Sequence, residues 1–235
     1  MEFKRISQEN GLWGDLWTKW DKICTSFGEN FQEFAPSSLT VLQPLAENPQ
    51  TESAGVFALI DQDSILAVCQ LNVAFIKGYE NKVLRLRHLL LSPEYDFSDN
   101  VTVKDYVQIL SEMFAGTIHC ANSELPAKHV KLHLQSPADR EFFKEIEQHL
   151  NQTATFNAVK MRGAWLYIDL WGQNFQSTES SIGATEMDHK TNLEVKAAFA
   201  AAIRNAIEVV GIERFKNTSM FGSNDKIEIE FKKAA

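Results

Sequence analysis

The chain predicts a mixed α/β fold with a mostly antiparallel central sheet flanked by helices. Three observations predict it. Apolar runs at 55–60 and 65–76 flank the turn Asp61-Gln62-Asp63-Ser64, the pattern of a β-hairpin. Apolar strands at 83–91 and 130–134 bracket a helical stretch, the order of a parallel strand pair joined by a helix. Residues 156–161 and 164–170 flank Arg162-Gly163, a second hairpin.

The elements follow in order. Residues 3–6 make a short first strand. Leu12, Trp13, Leu16, Trp17, Trp20 and Ile23 recur at helical spacing over 12–27, so the tryptophans read as core rather than as a ligand cage. Residues 30–45 form a weaker helical stretch, interrupted at Pro36 and ended near Pro44. After the first hairpin, the turn at 77–82 leads into the strand that starts at Val83. Thr102 with Asp105 approximates a capping box, and Val103, Tyr106, Val107, Leu110, Met113 and Phe114 make one apolar face. Ser136-Pro137-Ala138-Asp139 starts the next helix with a cap, a first-turn proline and an acid, and Phe142, Phe143, Ile146 and Leu150 bury it. A polar linker covers 172–191. An alanine-rich helix at 193–210 closes near Gly211, and 226–231 alternates as a half-buried strand. This helix-strand extension, 192–235, is expected either to dock on its own core or to join a second copy as a homodimer. The main domain covers 1–171.

Composition limits the function. The 235 residues are 44% hydrophobic and 23% charged, as in an ordinary soluble protein. A net charge of −8 argues against nucleic acid or an anionic membrane as the main partner. There is no signal-like N-terminus and no apolar run long enough to span a bilayer. Three scattered cysteines, Cys24, Cys69 and Cys120, suit a reducing cytoplasm. No CxxC, HExxH, Walker-type or GxGxxG spacing occurs, so no metal site is expected.

The strand 83–91 and its end, Ser92-Pro93-Glu94-Tyr95, resemble the central strand and turn of the GNAT-superfamily N-acetyltransferases. The resemblance covers about three-quarters of the chain. Where that family carries a glycine-rich basic loop for the pyrophosphate of acetyl-CoA, this chain has Asp96-Phe97-Ser98-Asp99-Asn100-Val101. The resemblance implies a cleft between splayed fourth and fifth strands that holds the arm of acetyl-CoA or another acyl-CoA.

It also implies site residues. Leu89, Leu90 and Leu91 stand where backbone amides pair with the arm, although core packing alone also explains three leucines. Val101, Thr102 and Lys104 stand at the helix N-terminus expected to meet the pyrophosphate. Glu94, His88 and His133 are the candidate bases; strand histidines are more often hydrogen-bonded structural residues, and Glu94 belongs to the common turn. Phe142-Phe143 replaces the usual thiolate acid, a tyrosine. Two functions follow: an atypical acyltransferase using a coenzyme-A or carrier-bound thioester and a small-molecule or protein amine acceptor, or a non-catalytic binding or assembly module. The first requires an open cleft between 88–92 and 131–136.

Overall fold

The central strands are buried on both faces and form one seven-stranded sheet. The computed structural model describes residues 1–49, 51–170 and 184–223, with only the helical backbone of 184–191. The strands are β1 (Glu2–Ile6), β2 (Ala54–Asp61), β3 (Ser64–Phe75), β4 (Lys82–Leu91), β5 (His129–His133), β6 (Ala158–Arg162) and β7 (Trp165–Asp169). Their order is β1-β2-β3-β4-β5-β7-β6. Among the described residues only β4 and β5 pair in parallel; every other pairing is antiparallel. The mostly antiparallel, helix-flanked sheet is therefore the predicted class. Gln62 at φ 52 and Gly163 at φ 60 turn the two hairpins.

The helices are α1 (Leu12–Ser26), α2 (Pro36–Glu47), α3 (Pro93–Phe97), α4 (Val103–Asn122), α5 (Pro137–Leu150), α6 (Ala184–Val210) and α7 (Ile212–Phe215). One prediction needs correction. Pro36 does not interrupt a helix; it is the first residue of α2, where its missing N–H costs nothing. Pro44 lies inside that helix, which runs on to Glu47.

Two cores sandwich the sheet. One face carries Leu71, Leu84, Leu86, Leu89, Leu91, Val130 and Leu132 under α4, α5 and α6. The other, over β1 to β4, carries Val56, Ala58, Ile60, Val68 and Leu90 under α1 and α2. Trp13 and Trp20 are buried in this second core, and Trp20 Nε1–H donates to the Ile65 carbonyl at 2.9 Å. In α6, Val195, Ala198, Phe199, Ala202, Ile203, Ala206 and Ile207 repeat at three- and four-residue steps and join the first core. The alanine-rich helix thus docks on α4 and α5 of its own chain. Lys196 pairs with Glu112 of α4 along the same seam. The strand expected at 226–231 lies outside the described residues, as does the first part of the linker expected at 172–191; its remainder, from Ala184, is not linker but the first turns of α6.

Candidate functional site: a bulged strand and its occupied cleft

Strand β4 begins with strict alternation, Leu84 and Leu86 toward α4, Arg85 and Arg87 toward the opposite face. At His88 the register slips. Arg87 opposes Gln70 and Leu90 opposes Val68, so His88 and Leu89 together face Cys69. His88 adopts φ 49, the left-handed conformation found in one class of bulge. The extra residue switches parity, so Leu89 and Leu91 regain the α4 face while Leu90 joins the second core.

The bulge coincides with the separation of β4 from β5. Their ladder ends at Leu86 opposite Leu132. Beyond it, β4 presents backbone groups on the side away from β3, as strand alternation requires. The Leu91 N–H points there and donates to the Met220 carbonyl at 2.9 Å. The segment after α7 therefore fills the opening between the two strands.

Two acids hold that segment, one buried and one half-buried. Asp139, 1% exposed, accepts from the Gln135 and Ser136 N–H groups at the start of α5 and from both the N–H and the hydroxyl of Ser219. Asp96 accepts from the Gly222 N–H and the Ser223 hydroxyl, both at 2.8 Å. Burial raises the Asp96 carboxyl to about 6, against those lowering hydrogen bonds. A Cβ on Gly222 would lie 2.5 Å from the Phe34 ring, so only glycine fits this approach. Met220 and Phe221 are buried, and Phe221 packs edge-on against Tyr106 and Phe215. Neither Phe97 nor Phe143 closes the cleft: Phe97 lies against Phe27 and Phe34, and Phe143 against Phe114.

The expected site residues are partly gathered. His88 and His133 lie near one another at the mouth of the cleft, each influenced by Arg87. His88 Nδ1 is 3.4 Å from the Ser38 hydroxyl of α2. Burial first, then Arg87 and His133, lowers His88 to about 4. Burial first, then Arg87, also lowers His133, whose ring packs on Trp165 at 4.6 Å. Both rings are neutral near pH 7, so neither is a cation there, and each keeps one N–H donor and one acceptor nitrogen. Glu94 is exposed in the first turn of α3, and no hydrogen bond ties its carboxylate to either histidine. Thr102 and Lys104 are exposed at the start of α4, and Val101 is half-buried just before it. The Thr102 N–H and hydroxyl both donate to Asp105, so this helix start is capped from within.

The sequence reading missed a second feature, on the face opposite α4. Register places Asn72, Arg85, Lys131, Tyr167 and Lys160 abreast across five strands. Gln70 and Arg87 stand in the next row, with Trp165 opposite Arg162 further along the sheet. Lys131 is 5% exposed, its ammonium 4.3 Å from the Tyr167 ring and 4.6 Å from the Tyr79 ring. A cavity of about 500 Å³ opens beside it, lined by Tyr79, His129, Lys160, Arg162 and Asp169 among others. The readable signal was the Arg-Leu-Arg alternation of β4 beside Gln70 and Asn72, polar residues at a period of two in an apolar strand.

Among the described residues no helix is long and apolar enough to cross a membrane, and no cluster of three metal-ligating side chains occurs. No family model matches the chain, and a search of curated proteins finds no significant match.

Proposed function

We propose that this chain is a non-catalytic, acetyltransferase-like binding module. The strand order, with its parallel β4–β5 pair and its bulged fourth strand, supports the family part of the reading. The observation that carries the rest is the hydrogen bond from the Leu91 N–H to the Met220 carbonyl. An acyl-CoA arm in the cleft would need β4 amides of this kind, and this one is taken. Displacing the tail would strip its donors from Asp139 and Asp96 and expose Met220 and Phe221.

Two further facts agree. Asp96 stands where a pyrophosphate would need glycine or a cation, and it serves the tail instead. The face on which an amine acceptor would approach carries Arg85, Arg87 and Lys131, which repel a protonated amine.

The test is calorimetric titration of the intact chain with acetyl-CoA and with a long-chain acyl-CoA. The module reading expects no saturable heat from either at millimolar ligand. Micromolar binding of either, with acyl transfer to an amine, would restore the acyltransferase reading.

A further inference from the structure

We propose that Arg85, Arg87, Gln70, Asn72 and His133 form a binding site for a small phosphate monoester that carries hydroxyl groups. The inference rests on the reading of the chain as a binding module and names what the module binds.

The residues converge because of register. Gln70 opposes Arg87, and Asn72 opposes Arg85, on the face away from α4. Arg85 and Arg87 are two apart on one strand, so their Cα atoms are about 7 Å from each other. Lys131 opposes Arg85 on β5, and His133, two residues further, shares its face.

This concentration of charge has no internal counterpart. Among the described residues, none of Arg85, Arg87 and Lys131 takes part in an ion pair. Two acids of neighbouring elements are committed elsewhere: Asp169 of β7 meets His129 and Asn157, and Asp139 of α5 holds the tail. Two like charges side by side in an anionic protein, with burial and Arg87 already lowering Arg85, are arranged for an anion from outside.

The polar atoms left over specify its chemistry. Arg85 Nε and Arg87 Nε are buried donors without a partner. They suit the oxygens of one group bearing two negative charges, which at neutral pH describes a phosphate monoester and not a single carboxylate. Gln70 Oε1, Asn72 Oδ1 and His133 Nδ1 are buried without partners in the same rows. The two amide oxygens accept, and hydroxyl groups beside the phosphate would supply their donors. The five residues are half-buried: other atoms of their side chains meet solvent, while the orphaned atoms lie just beneath it.

The experiment is calorimetry on the intact chain at constant ionic strength, with glycerol 3-phosphate, inorganic phosphate and succinate as probes. Glycerol 3-phosphate is expected to bind most tightly, and succinate at least tenfold more weakly. Arg85→Gln and Arg87→Gln should each weaken glycerol 3-phosphate at least tenfold. Gln70→Leu, which keeps both cations, should remove the preference for glycerol 3-phosphate over inorganic phosphate. No saturable heat with the wild type, equal binding by folded arginine variants, or succinate binding as tightly as glycerol 3-phosphate would overturn the proposal. The two readings fail separately. Acetyl-CoA binding that survives in Arg87→Gln would lie in the cleft and overturn the module. Silence from both acetyl-CoA and glycerol 3-phosphate would overturn the phosphate site alone.

Discussion

His88 concentrates the local physics of the site. It holds φ 49 at the bulge, a conformation open to asparagine and costly for a β-branched residue. His88→Asn should therefore leave stability within about 0.5 kcal/mol, whereas His88→Val should cost about 1–2 kcal/mol, as measured by urea unfolding. The ring also makes stability depend on pH. With its folded value at about 4 against an ordinary 6.5, the fold binds fewer protons here than the unfolded chain does. Its contribution is complete above about pH 6.5 and is lost as pH falls toward 4. Discounted for partial solvent screening, that loss is about 1–2 kcal/mol. Asp96 runs the other way, since its raised carboxyl favours the fold as pH falls through about 6. The stability of the wild type minus that of His88→Asn cancels Asp96 and should rise between pH 4 and 7. A flat difference would contradict a buried, neutral His88.

At the scale of elements, the tail and α6 are docked by different forces. The tail is held by Asp139, whose carboxylate gathers donors from α5 and Ser219. Asp139→Ala strands those donors and should cost about 2–4 kcal/mol in urea unfolding, with earlier proteolysis after residue 215. Helix α6 is held by apolar packing, with Phe199 fully buried against Phe114 and Phe156. Phe199→Ala should cost about 3–5 kcal/mol by the same measurement. The elements themselves were largely legible. Two-residue and four-residue periods gave the strands and helices, and Ser136 and Asp139 gave the α5 cap that the structure contains. The prolines misled because Pro36 starts a helix as readily as it breaks one, and Pro44 sits within a turn of its helix end. The bulge was hidden by Leu89, Leu90 and Leu91, since three consecutive leucines conceal a change of parity. Asp139 showed its capping role in sequence, but not its bond to Ser219, because that contact spans eighty residues of chain.

Across the whole molecule, the sheet provides a cleft and a face, and only one of them is open. The cleft between β4 and β5 is closed by the same chain that runs back from α6 and α7. The aspartates that made the loop after β4 look wrong for a pyrophosphate are explained in part by this closure, because Asp96 binds Gly222 and Ser223. No local pattern in 216–223 announced it; Met220 and Phe221 look like isolated apolar residues in a turn until α6 is placed. The polar face was half-written in the Arg-Leu-Arg alternation, but its extent depends on register between strands far apart in sequence. The central claim, that the tail and not a cofactor occupies the cleft, is tested most directly by hydrogen exchange of the Leu91 amide with and without millimolar acetyl-CoA. The account predicts that Leu91 exchanges as slowly as the interior amides of β4, and that acetyl-CoA leaves it unchanged. Rapid exchange of Leu91 in the free protein, or new protection that appears only with acetyl-CoA, would contradict it.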